Sequence, residues 1–306
     1  ARSLPPAMPR DRRGQMLLVA ALGLAVAFVA LALVLNAVVF TENLATRNPD
    51  PADDALAYEG AVTEGVGGLL AETNRHDDAD YDALDDALRA GVAAWDENAS
   101  RLVADDGTVT SVELNTTTNG TRIVQAAPGD FTAADGSDDW TLAGGVSAVR
   151  RFVVVADPGA GGPVAFAVSD GTDSWRVEVS EAGDGDATVT VSEGGSQVAV
   201  VDHDAATVAV DLTEGAVNGS AVENWTFGAG VSAPYDVTVA DGSAATGRYQ
   251  LFVDEPQGGF ATGAPTTRPA VYSATVDVTV HRSSVTYESP VVLAPEDAPG
   301  DDALAQ

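Results

Sequence analysis

The 306-residue chain contains no cysteine and no lysine, so all 15 of its cationic side chains are arginines. Without cysteine there is no disulfide framework, iron–sulfur cluster or thiolate nucleophile. The 46 Asp and Glu residues leave a formal charge of 15 − 46 = −31, and no run of arginines exceeds two. Reading a duplex requires clustered cations that neutralise phosphates, so nucleic-acid binding is excluded. Aromatic residues are scarce at 6%, whereas apolar residues reach 45%. A folded core must therefore come mainly from Val, Ala and Leu, which favours a β-rich domain.

The acids are spread along the whole chain and Asp dominates. Such a composition fits a protein working in molar salt, where self-repulsion is screened within a few ångströms and carboxylates keep the surface hydrated. A haloarchaeal source is expected. The alternative, an acidic partner-binding face, would call for blocks of acid.

Met16 to Phe40 reads MLLVAALGLAVAFVALALVLNAVVF, 25 residues in which Asn36 alone has a hydrogen-bonding side chain. At about 1.5 Å per residue this crosses a hydrocarbon layer of roughly 30 Å with some tilt. Arg2, Arg10, Arg12 and Arg13 against Asp11 give +3 upstream, while 11 arginines against 45 acids give −34 downstream. The positive-inside bias then predicts a single-pass protein with its N-terminus in the cytoplasm and its C-terminal part outside. The run is too long for a cleavable secretory signal, whose apolar region spans about 7–15 residues. Arg12-Arg13 suggests twin-arginine export, but Gly14-Gln15 follow where a more apolar continuation is expected.

Arg12-Arg13-Gly14-Gln15 directly before the apolar run resembles the class III signal peptide of archaeal type IV pilins and pilin-like proteins. The resemblance implies cleavage between Gly14 and Gln15 by a cytoplasmic-side peptidase, which leaves the apolar helix on the mature protein as anchor and packing element. Leu35 to Arg47, LNAVVFTENLATR, looks like a haloarchaeal family of pilin-like membrane proteins without a characterised activity. Filament pilins usually carry Glu at the fifth mature position, where it neutralises a neighbouring terminal amine. Here that residue is Val19, which points to a minor or pseudopilin-like subunit or a stand-alone membrane protein. Gly23 and Ala27 form a small-xxx-small pair and Asn36 can bond a partner helix, so packing against pilin-like or other envelope proteins is expected. An ordinary alanine-rich span explains the same residues.

Asn48-Pro49-Asp50-Pro51 breaks the helix, and two helical stretches follow. Ala55, Tyr58, Val62, Val66, Leu69 and Leu70 recur at helical spacing, with Gly65, Gly67 and Gly68 weakening the pattern; Tyr81, Leu84, Leu88, Val92 and Trp95 form a second stripe. Asp77, Asp78, Asp80 and Asp82 read as charges at a helix start, because the glycine and terminal Glu of a calcium loop are missing. Beyond Ser100, alternating Val/Thr segments separated by Gly/Asp turns predict antiparallel strands, among them Thr108–Leu114, Thr121–Ala126, Ser174–Ser180, Gln197–Asp202, Ala221–Phe227 and Val271–Val280. The expected fold class is α+β: an N-terminal transmembrane helix and short helical stalk followed by a mainly antiparallel, sandwich-like β domain. The expected divisions are a basic leader (1–14), the span (15–40), the stalk (41–100), an extracellular β domain (101–293) and an acidic tail (294–306).

Five sequons, at Asn98, Asn115, Asn119, Asn218 and Asn224, lie on the predicted outer side; Asn115 and Asn119 read as parts of a polar loop and are the first candidates for glycosylation. Asp202-His203-Asp204 reads as a hairpin turn rather than a metal site, and Gly183-Asp184-Gly185-Asp186 as a turn rather than a calcium loop. No nucleophile elbow, phosphate loop or dinucleotide loop occurs. The sequence thus predicts no enzyme, metal or cofactor. It predicts either a membrane-anchored pilin-like surface protein with a structural role or a tethered binding domain.

Overall fold

A computed structural model of the protein describes residues 51–75, 80–104, 107–183, 185–283 and 285–294. The apolar segment, with Gly14, Gln15, Gly23, Ala27 and Asn36, and the acidic tail from 295 lie outside them. Among the described residues no helix is long and apolar enough to cross a membrane. The chain divides into two compact units, Ala1–Leu56 and Ala57–Gln306, and the second carries the β fold.

Its core is a two-layer antiparallel sandwich. One sheet has eight strands in the order β10-β9-β8-β3-β12-β1-β13-β14, the other six in the order β2-β11-β4-β5-β6-β7. The first sheet contains β1 (Val109–Asp130), β3 (Val149–Pro158), β8 (Val208–Asp211), β9 (Ala216–Val217), β10 (Ser220–Ala221), β12 (Ala245–Val253), β13 (Thr267–His281) and β14 (Thr286–Leu293). The second contains β2 (Trp140–Val146), β4 (Val164–Ser169), β5 (Ser174–Glu181), β6 (Ala187–Glu193), β7 (Ser196–His203) and β11 (Tyr235–Ala240).

Between the sheets, period-2 alternation buries Phe152, Val154 and Ala156 of β3, Tyr249, Leu251 and Val253 of β12, and Val177, Val179, Val189 and Val191 of β5 and β6. The few aromatics are concentrated there. Phe166 meets Phe131 and Phe152 edge-on at 5.4 and 5.7 Å, and Trp175 packs against Trp225 and Phe227. The indole N–H of Trp140 donates to Phe131 O, and that of Trp225 to Leu212 O, so both buried donors are satisfied.

The polar stretch around Asn115 and Asn119, expected as a loop, is the middle of one 22-residue strand. β1 pairs with β13 from Val109 to Ile123, and two irregularities, at Asn115 on β1 and Tyr272 on β13, absorb the register. Threonine is a good strand former, so the run pairs although it is wholly polar. Conversely, most of Ala221–Phe227, expected as a strand, is irregular because Trp225 turns into the core. β2 and β14 were not apparent from alternation.

The two helices, α1 (Pro51–Thr73) and α2 (Tyr81–Ala104), form an antiparallel hairpin. Val62, Val66 and Leu70 of α1 and Leu84, Leu88 and Val92 of α2 are buried. Facing them are Val112 and Leu114 of β1 and Val276, Val278 and Leu293 of β13 and β14, outside the sandwich core. Counted through the two irregularities, these strand residues share the inner sheet face with Ile123. From Ala57 onward the helices of the expected stalk are therefore docked on the β domain, over the part of the inner face that the six-stranded sheet does not cover.

The hairpin also seals strand edges. β12 pairs only with the second half of β1, from Thr121. Along the first half, Ser100 Oγ donates to Thr110 O, Asp96 Oδ1 accepts from Val112 N at 2.8 Å, Arg89 Nη1 reaches Leu114 O and Tyr81 Oη donates to Gly120 O. On β13, where β14 pairs only from Ala274, Asn74 takes the place of a strand residue. Its Nδ2 donates to Val271 O at 2.9 Å and its Oδ1 accepts from Val271 N at 2.8 Å. Unsatisfied strand edges recruit other chains, and here side chains close them.

Candidate interaction surfaces

Because Ile123, Leu251 and Phe152 point into the sandwich, the alternate residues of these strands point outward. The register sets Arg268 of β13 beside Arg122 of β1, Arg122 beside Phe252 of β12, and Phe252 beside Arg151 of β3. Four residues further along β12 stands Arg248, with Gln250 between them. The guanidinium of Arg150 lies over the ring of Tyr272, 4.5 Å from its centroid. A Cβ on Gly120 would lie 2.8 Å from that of Tyr272, so glycine allows the tyrosine to cross β1 here.

Ten arginines occur after Leu56, and five of them, Arg122, Arg150, Arg151, Arg248 and Arg268, converge on this outer face of a strongly acidic chain. Two of them, Arg122 and Arg151, stand on either side of Phe252, which is only 5% exposed. Sequence reasoning missed the cluster because its members are scattered over 147 positions (268 − 122 + 1) and only the register assembles them. All five are only partly exposed and each already has an interaction partner, so an anionic ligand would have to exchange those contacts for bidentate ones.

All five sequon asparagines are exposed; Asn98 and Asn218 lie in the helical and inter-strand regions the sequence indicates, whereas Asn115 and Asn119, expected in a loop, and Asn224, expected in a strand, do not. Asn98 lies in α2 and donates to Ala94 O; Asn115 and Asn119 lie on β1, with Asn115 Nδ2 donating to Asp277 at 2.9 Å. Asn218 has φ 48 and accepts from Ala209 N at a tight turn. Asn224, also exposed, has φ 61 in the loop before β11.

His203 ends β7, where the chain crosses to β8 of the other sheet instead of closing the expected hairpin turn, and its neighbour Asp202 accepts from Thr188 Oγ1. Among the described residues no three His, Asp or Glu side chains are grouped to hold a metal ion. The perturbed titrating groups have structural causes. Asp170, partly exposed, is held below the ordinary carboxylate range by backbone N–H donors of Asp173, Ser232 and Thr172, which tie the β4–β5 turn to the segment before β11. Burial pushes Tyr235 up to about 12 and raises Tyr249 further.

Residues 10–137 match the model of a family of unknown function, DUF7261. The match runs from the basic leader through the apolar segment, both helices and β1, and ends before β2. No curated protein and no solved structure matches the chain.

Proposed function

We propose that the protein is a haloarchaeal membrane-anchored surface protein of pilin-like type, with a structural or assembly role in the envelope. The observation that carries this reading is the placement of Arg12-Arg13-Gly14-Gln15 immediately before the 25-residue apolar run of Met16–Phe40. The fold is consistent with such a role: the first described helix after that run is locked to the β domain by Asn74 on Val271 and by Tyr287 donating to Glu59. Mass spectrometry of the membrane fraction should find a mature terminus at Gln15, and protease shaving of whole cells should release peptides of the β domain. An intact Arg13-Gly14-Gln15-Met16 peptide on the mature protein would remove the pilin-like processing, and an untouched β domain on intact cells would remove the outward topology.

The second reading, a tethered binding domain, is favoured by the arginine face. Its ligand would be an extended polyanion. The full-length chain in detergent should bind polyglutamate or dextran sulfate and release it as KCl is raised, and Arg122→Gln with Arg268→Gln should weaken binding at least tenfold. Equal binding by wild type and double variant would dismiss it.

A further inference from the structure

β14 runs antiparallel to β13 and ends at Leu293, opposite Ala274. The chain is then heading towards the level of Arg268, six residues on along β13. Two features stop it from continuing as a ladder partner of β13. Pro295 has no N–H to donate, and Asn74 already bonds both groups of the Val271 peptide. The inner face at this edge is taken by the helix hairpin, so the arginine-bearing outer face is the sheet surface left to the chain. The residues that follow β14 are strongly acidic: Glu296, Asp297, Asp301 and Asp302 fall within 295–302, with no arginine among them. The outer face also shows that it is covered. Phe252 and Gln250 point away from the sandwich core yet are each 5% exposed, and Ala270, on the same side, is wholly buried. Arginine stems supply part of that cover.

We propose that the acidic segment 295–302 docks across this outer face, with its carboxylates on Arg268, Arg122 and Arg151. The distances permit it. From Leu293, Arg151 lies about 20 Å further along the strands and about 19 Å across four of them, roughly 28 Å in all at about 3.3 Å per residue and 4.8 Å per strand. The stretch 294–302 spans about 30 Å when extended. Guanidinium forks take carboxylates bidentately. Attachment to β14 gives the segment an effective concentration on the order of millimolar, which offsets part of the screening by salt. The arginine face is thus occupied from within the chain, and an external polyanion would have to displace the segment. The inference stands on strand register and chain direction; it needs neither the membrane reading nor an external ligand.

A cysteine-free chain allows spin labels at two chosen sites of the full-length protein in detergent. Ala303→Cys follows the acidic segment, and Thr246→Cys is exposed on β12, two residues before Arg248. Pulsed electron paramagnetic resonance should give a narrow distance distribution centred below about 30 Å, since a docked segment ends near Arg151. An undocked segment averages around Leu293, about 40 Å from Thr246, and gives a broad distribution. The short distance should be lost when Glu296→Gln, Asp297→Asn, Asp301→Asn and Asp302→Asn are combined, and likewise with Arg122→Gln and Arg268→Gln, while circular dichroism stays unchanged. A broad distribution near 40 Å without these charge substitutions overturns the proposal. So does a short distance that survives either set, because other contacts would then hold the segment. No polyanion enters the measurement, so failure of the binding-domain reading leaves its outcome untouched.

Discussion

Single side chains settle several of the contacts that hold the β domain together. Asn74 is 4% exposed and supplies both partners of the Val271 peptide. Asn74→Ala leaves a buried N–H and C=O without them and is expected to cost about 2–4 kcal/mol in denaturant unfolding. Tyr249 is the opposite case. Its hydroxyl is buried in the core with no hydrogen-bond partner among the described residues, so Tyr249→Phe should be within about 1 kcal/mol of wild type or more stable. Asp170 bears on acid stability. Its folded pKa lies below the unfolded value near about 4, so its contribution is complete above that value and is lost as pH falls through the lowered folded pKa. Asp170→Asn should therefore show a shallower loss of stability than wild type between about pH 4 and 2, read from unfolding midpoints.

At the level of elements, the helix periodicity was legible, whereas the partners of the helices were not. Gly65 reads in sequence as a weak point in α1; in the fold a Cβ there would collide with the Trp95 indole, so the glycine makes room for helix packing. Gly65→Ala should destabilise by about 1–3 kcal/mol, with a shift in tryptophan fluorescence as the ring moves. Asp96 likewise reads as one more surface acid, yet it accepts from Val112 N on the open edge of β1. Asp96→Ala should cost about 1–2 kcal/mol and speed amide exchange at Val112 before it affects the sandwich core. The strands β2 and β14 escaped notice because Gly144-Gly145 and Pro290 break the alternation in the residues themselves. Asn115 and Asn119 looked like loop residues for the converse reason: a polar threonine run carries no burial signal, and only pairing with β13 makes it a strand.

For the whole molecule, charge is the dominant long-range force. With −31 on 306 residues, raising KCl from about 0.1 to 2 M should increase unfolding midpoints of the full-length protein, because the Debye length falls from roughly 10 Å to below 3 Å. A midpoint independent of salt would remove the halophilic reading.

Composition and periodicity alone determined the excluded chemistries, the acidic surface, the apolar segment, the two helices and the β-rich class, since each depends on residues near one another in the chain or on totals. The tertiary structure decided the rest: that the helices dock on the β domain and that five scattered arginines share one sheet face. These properties depend on register and on which strands become neighbours, and both are set by long-range pairing that no local window of sequence contains.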